Sequence, residues 1–184
     1  SLSFRGYRKI PLFAPMQETL AAAVIAATSW KGDTNFVNPM CGSGTLAIEA
    51  ALTALNRAPG LSRNNYGFMY IKDFPESFWQ NLRGQARADA RKKLPARIIA
   101  TDIDKQAVIA ARQNAQTAGV DHLIEFNICP YDKTSIPGGG GIIILNPPYG
   151  ERMTAGSARP ATKVLHRDKA IFAHGQKMSL RKAS

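Results

Sequence analysis

Four short apolar runs, separated by turns and helical patterns, constrain this chain more than any other feature. They are "TNFV" (34–37), "RIIAT" (97–101), "LIEFN" (123–127) and "GIIIL" (141–145). Runs apolar on both faces read as strands buried on both sides, as in a parallel sheet covered by helices. Between and before them lie helical segments. "MQETLAAAVIAATSW" (16–30) follows Pro15 and is rich in helix formers. "TLAIEAALTAL" sets Ile48, Ala51, Leu52 and Leu55 on one face at i, i+3, i+4 and i+7. A further helix is capped by Asp104, carries Ala107, Ala111, Ala115 and Ala118, and stops at Gly119. The alternation predicts an α/β fold, a doubly wound and mostly parallel sheet with helices on both faces. Residues 56–96 interrupt it as a long insertion. It holds Tyr66, Phe68, Tyr70, Phe74, Phe78 and Trp79 and then the basic run "RGQARADARKK". "PGGGG" (137–141) is a flexible approach to the fourth strand.

In such a sheet the chemistry gathers at the carboxyl ends of the strands, and two segments there carry signals. "FVNPMCGSGTLAIEA" is a strand, a glycine-bearing turn and a helix start. Gly42 and Gly44 let backbone approach a ligand closely, and the free N–H groups of the helix start attract negative charge. The spacing is neither that of a P-loop nor G-x-G-x-x-G. Asp102 directly follows "RIIAT", where a carboxylate can accept both hydroxyls of a ribose. The pair predicts a site for an adenosine-bearing cofactor with little phosphate.

The fourth strand runs into "NPPYGER". The Asn146 side-chain oxygen and the Pro147 carbonyl can both accept hydrogen bonds, and an exocyclic NH2 has two N–H donors to offer. Engaging both draws the nitrogen from planarity, so that its lone pair can meet an electrophile. Pro147 and Pro148 fix φ and remove N–H donors, leaving a stiff acceptor loop. Tyr149 adds a flat face for a base, worth about 1–3 kcal/mol in stacking. The alternative is a rigid strand-to-loop turn without chemistry.

Bulk properties narrow the partners. Among 184 residues, 24 Lys and Arg outnumber 13 Asp and Glu, giving a net charge of +11. That surplus favours a polyanionic partner, since each neutralised phosphate releases counterions. Two distant cysteines, Cys41 and Cys129, make no disulfide framework, and with three scattered histidines they make no metal site. They fit a reducing, cytoplasmic compartment. The longest apolar run, "LAAAVIAA", is too short to cross a bilayer.

Taken together, "FVNPMCGSGTLAIEAAL", "NRAPGL", "TDIDKQAVIAARQNA" and "NPPYGERM" resemble the S-adenosylmethionine-dependent RNA methylases associated with THUMP domains, whose members make N2-methylguanine in 23S ribosomal RNA or act on tRNA. The resemblance runs from residue 1 to about 153, and it implies a Rossmann-like class I methyltransferase fold. It implies that Asn38, Pro39, Met40, Cys41, Gly42, Gly44 and Thr45 hold the methionine end of the cofactor. Asp102 takes the ribose with Ile103 beside it, Asp132 is offered to the adenine, and Glu18 reaches the cofactor amine. It implies that Asn146, Pro147, Pro148 and Tyr149 hold and stack the target base, and for an RNA target the candidate phosphate contacts are Arg57, Arg63, Arg152 and the basic run 83–93. Residues 1–15 are then expected to be a linker out of an RNA-binding THUMP domain, and 16–184 the catalytic domain.

This chain departs from the family in two places. Asn38 stands where the family usually has Asp. After residue 153 a helix and a strand are expected to be lacking, with "KAIFAHGQKMSLRKA" similar to the family's closing hairpin. Three competing readings share these motifs: an adenine-N6 DNA methyltransferase, a protein-glutamine methyltransferase, and an RNA-binding module without catalysis.

Overall fold

A computed structural model of the protein describes residues 5–10, 15–147 and 170–172. Among these described residues five strands form one sheet: β1 (Asn35–Pro39), β2 (Ile98–Asp102), β3 (Ile124–Ile128), β4 (Gly141–Leu145) and β5 (Ala170–Phe172). Their order is β3-β2-β1-β4-β5, and every pairing is parallel. Among the described residues four α-helices accompany them: α1 (Glu18–Ala27), α2 (Thr45–Ala54), α3 (Glu76–Ala88) and α4 (Lys105–Ala118). The doubly wound α/β architecture read from the sequence is the architecture found.

The sequence dictates these elements locally. Asp104 caps α4, its carboxylate accepting from the Gln106 N–H at 2.8 Å, and Gly119 ends the helix at φ +69°. β1 and β2 are buried on both faces through Phe36, Val37, Ile98 and Ile99, as inner strands of a doubly wound sheet are. β3, at the edge, alternates buried Ile124 and Phe126 with exposed Glu125 and Asn127. α2 is buried along nearly its whole length, with Ile48 and its alanines against the sheet, α1 and α4. Its small residues let those neighbours approach. Each fully buried Phe36, Ile48, Ile98 or Ile144 side chain contributes about 1.5–3 kcal/mol of transfer free energy.

Two readings of the domain's limits change. Residues Arg5–Ile10, expected to lie in a linker, are bound into the domain. Tyr7 is buried in the core and its hydroxyl donates to Glu49 Oε1 at 2.9 Å. The Lys9 and Ile10 N–H groups donate to Asn114 Oδ1 at 2.9 and 3.1 Å. Second, a strand does follow residue 153. Ala170–Phe172, expected within a closing hairpin, pairs in parallel with β4, Ala170 opposite Ile143 and Phe172 opposite Leu145. The apolar Ala-Ile-Phe run completes a side of β4 that would otherwise leave a hydrogen-bonding edge open.

The insertion 56–96 is built around its own aromatics. Tyr66 stacks on Phe68 with centroids 5.1 Å apart, and Trp79 meets both rings edge-on. Arg83, in the basic run read as a candidate for phosphate contacts, is buried instead. Its guanidinium donates to Arg63 O and Asn64 Oδ1 and lies over Trp79.

Candidate active site

Strand order reverses between β1 and β4, because the chain winds to β2 and β3 on one side and to β4 and β5 on the other. Ligands of open α/β sheets bind at such a switch point, outside the carboxyl ends of the strands. Here the two strands part early. β1 pairs with β2 as far as Pro39 opposite Thr101, but with β4 only as far as Val37 opposite Ile143. In the gap stands the Asn38 side chain, fully buried, with Nδ2 donating to Ile144 O at 2.9 Å and to Pro39 O at 3.3 Å. It thus ties β1 to β4 two residues upstream of Asn146. A carboxylate here could not donate those bonds, which gives the Asn at this position a structural use of its own.

The glycine loop is wound tightly. Met40, Gly42 and Gly44 take left-handed φ values of +55°, +53° and +83°. The two glycines serve different ends. A Cβ on Gly44 would lie 2.8 Å from Ala111 Cβ and 3.1 Å from Ala111 Cα, so Gly44 lets α4 approach. A Cβ on Gly42 would meet nothing within 4 Å, so its surface is open to a ligand. Non-glycine Met40 in this conformation is a strained position of the kind held at functional loops.

The loop is fastened from three sides. The Cys41 N–H donates to Thr101 O at 2.9 Å, and the Gly42 N–H donates to Asp102 Oδ2 at 2.9 Å. Asp102 Oδ1 accepts from the Asp104 N–H at 3.0 Å. Each carboxylate oxygen keeps a lone pair free for a further donor. From α4, Asn114 Nδ2 donates to Ser43 O at 3.2 Å and to Ile10 O at 3.1 Å. Arg8 Nη2 donates to Thr45 Oγ1 at 3.3 Å and also to Met16 O. Burial, with the Asp102 carboxylate adding to it, pushes the Cys41 thiol well above its usual range, so it stays protonated and is no nucleophile.

Of the residues singled out from sequence, Asn38, Pro39, Met40, Cys41, Gly42, Gly44, Thr45 and Asp102 are gathered by this one loop and its fastenings. Ile103 and Ile128 are exposed at the carboxyl ends of β2 and β3, and Ile128 was not foreseen. Exposed isoleucines at neighbouring strand ends offer an apolar face for a flat ring. Asp132 lies beyond β3 on an exposed turn, Tyr131–Lys133. Glu18 is buried on α1 and its carboxylate accepts the Arg5 N–H. Asn146 and Pro147 stand half-buried at the end of β4. Pro148, Tyr149 and Arg152 lie outside the described residues. Arg57 and Arg63 are not brought to the crevice. Arg57 sits past the far end of α2, about 15 Å of helix from the loop, with Nη1 donating to Ala118 O. Arg63 lies in the insertion over the Tyr66 ring.

Below the loop, Glu49 on α2 is buried with Arg5 Nε 3.3 Å from its carboxylate. Burial raises its pKa to about 7, against the pull of Arg5 and Tyr7. Arg8 and Asn114 were missed in the sequence. Asn114 left a trace: it is the one amide at an inward position of the alanine stripe 107, 111, 115, 118. Among the described residues no helix is long and apolar enough to cross a membrane, and no three His, Cys, Asp or Glu side chains lie together as a metal site.

The features of the crevice fit a nucleoside cofactor with an amino-acid end: an open Gly42, an acid at the next strand, exposed isoleucines, and the buried Asn38 Oδ1, an acceptor without a donor. A parallel sheet in this order, with an acid-gripped glycine loop facing Asn-Pro across the switch point, defines a Rossmann-like methyltransferase domain. The chain belongs to the UPF0020 family, the RMKL-like methyltransferase domain, whose model matches residues 5–170. It is 42% identical over 167 residues to the ribosomal RNA large subunit methyltransferase K/L of Aliivibrio fischeri (strain ATCC 700601 / ES114). That match covers 88% of this chain and 23% of the relative, so the chain spans under a quarter of the relative's length. Two solved structures share the fold with TM-scores of 0.75. SMU.472, assigned as a methyltransferase and complexed with S-adenosylhomocysteine (SAH), is 35% identical; the match covers 84% of this chain and 40% of that one. A protein from Listeria monocytogenes str. 4b F2365, assigned as an N6-adenine-specific DNA methylase, is 40% identical, with 83% and 40% covered.

Proposed function

We propose that this chain is the catalytic domain of an S-adenosylmethionine-dependent RNA methyltransferase that methylates the exocyclic N2 amine of guanine in ribosomal RNA, 23S by preference. The observation that carries the reading is the position of Asn146 and Pro147 at the mouth of β4, across the switch point from the loop held by Asp102. Family membership, the ribosomal RNA methyltransferase among the relatives and the +11 charge support it.

When bound, the cofactor supplies an electrophilic methyl group on a sulfonium. Asn38–Thr45 would hold its methionine end, Asp102 its ribose hydroxyls, and Ile103, with Ile128, its base. Asn146 Oδ1 and the Pro147 carbonyl accept the two N–H bonds of the target amine and point its lone pair along the line of attack, with Tyr149 stacked on the base. The cofactor would supply its methyl group to the nitrogen so held and leave as the neutral thioether, and the surplus proton on nitrogen would pass to solvent. Catalysis is mostly positioning and electrostatic matching to a charge that is being lost. A paired guanine must be flipped out, at a cost of about a few kcal/mol. Arg57, Arg63 and Arg152 are proposed phosphate contacts, Arg57 through the donors it does not spend on Ala118 O.

Adenine-N6 methylation of DNA is the second reading, favoured by the assignment of the Listeria relative. Radiolabelled methyl transfer to unmethylated 23S RNA and to unmethylated duplex DNA, followed by nucleoside analysis, decides between them. Label in N2-methylguanosine is the expected result; label in N6-methyladenine alone would overturn it.

A further inference from the structure

Arg8 is a cation set beside the start of a helix. Its Nη2 lies 3.3 Å from Oγ1 of Thr45, the first residue of α2, where the helix dipole is already positive and the N–H groups of the first turn lack partners. Its charge is felt by the buried Glu49 carboxylate, but no carboxylate among the described residues lies within ion-pair distance of it; the ion pairs there are Arg5–Glu49 and Arg97–Glu125. Its Nε is buried without a hydrogen-bond partner. A guanidinium held by two hydrogen bonds against a positive helix end, with a donor unpaired, is arranged for an anion. The other buried polar side-chain atom without a partner among the described residues is Asn38 Oδ1, an acceptor that precedes the glycine loop in the chain as Thr45 follows it. One loop therefore has an orphan donor with a positive charge at one end and an orphan acceptor at the other. An α-amino acid carries the matching pair, a carboxylate and an ammonium.

We infer that Arg8 is a cofactor-binding residue that takes the α-carboxylate of the donor's methionine end, an assignment that rests on the proposed function. It also gives the strap Arg5–Ile10 a use: Arg8 grips the loop at Thr45 while Asn114 ties Lys9, Ile10 and Ser43 together, so the segment forms one wall of the cofactor site.

The test pairs two ligands with three proteins. S-adenosylmethionine and decarboxylated S-adenosylmethionine, which lacks only the carboxylate, are titrated by calorimetry into the wild-type chain, Arg8→Ala and Arg8→Lys. The wild type should prefer the intact donor by about ten- to hundredfold, the strength of one charge-assisted contact. Arg8→Ala should bind both ligands alike, and Arg8→Lys should recover part of the preference. Equal affinity of the wild type for the two ligands overturns the assignment without recourse to a variant. An Arg8→Ala chain that keeps the full preference, or weakens both ligands by one factor, overturns it too, because Arg8 would then only support the fold. If the wild type binds neither ligand, the proposed function fails first and takes this assignment with it; if it binds both and the preference does not depend on Arg8, this assignment alone fails.

Discussion

The glycine loop and the 56–96 insertion are both irregular stretches, and they are held in opposite ways. The loop, residues 40–44, is fixed by partners far away in the chain: Thr101, Asp102 and Asn114 all bond to it, and Arg8 to Thr45 beside it. The insertion is held mainly by itself, through the Tyr66, Phe68 and Trp79 rings and buried Arg83, with a few bonds such as Arg91 N–H to Leu55 O at 2.7 Å joining it to the end of α2. Tyr70, Ile71 and Phe78 remain well exposed there. A loop proposed to present its backbone to a ligand is cross-linked to the elements behind it, whereas an added surface structure can be self-contained. Changes at the crevice should therefore cost function or stability heavily, and changes on the insertion little.

The largest effect is predicted for Asn146→Ala, which removes one of the two acceptors. Methyl transfer should fall by about a hundredfold or more, as when one well-placed hydrogen bond to a transition state is lost, while SAH affinity measured by calorimetry stays within about twofold. Parallel losses of both would show that Asn146 holds the fold and not the base. Gly44→Ala comes next. The left-handed φ and the Ala111 backbone 3.1 Å from the new Cβ should destabilise the chain by about 1–3 kcal/mol in chemical denaturation. A neutral result would mean that α4 does not pack on the loop as described.

Glu49 offers a test by pH. Its native pKa of about 7 exceeds the ordinary 4.5, so between these values the folded chain holds a proton that the unfolded chain has released. The stability it contributes is complete below about pH 4.5 and is lost as pH rises through about 7. Melting temperatures should fall over that window in the wild type, and more shallowly in Glu49→Gln. Identical slopes would remove Glu49 from the account. The smallest effect sharpens the contrast with the loop. Gly84 is exposed in α3, has an ordinary φ, and a methyl group added there would meet nothing within 4 Å. It should accept alanine with a gain of about 0.5–1 kcal/mol. Destabilisation by Gly84→Ala would show that the insertion is packed more tightly than its exposure indicates.

Much of the fold was legible because its signals are local. The apolar runs, the Asp104 cap, the Gly119 stop and the full span of β4 all depend on neighbours in sequence. The glycine loop and Asp102 were legible for the same reason, since each abuts a strand end. What escaped depends on distant partners. Arg5–Ile10 look like a linker until Glu49, Thr45 and Asn114 are seen around them, as many as 105 positions away. Arg83 sits in a basic run that reads as surface, yet the Arg63 carbonyl and the Trp79 ring bury it. β5 escaped because a three-residue strand carries too little pattern to identify without β4 beside it. Asn38 was noticed for its difference from the family, but its bond to Ile144 O is visible only in three dimensions.

The proposed binding of an adenosine cofactor in the switch-point crevice rests on Asp102. Calorimetric titration of the wild-type chain and Asp102→Ala with SAH tests it most directly. Saturable one-site binding in the wild type, weakened about a hundredfold or more when the carboxylate that holds the Gly42 and Asp104 N–H groups is removed, is the predicted result. No binding to the wild type at millimolar SAH, or equal binding to both chains, would contradict it.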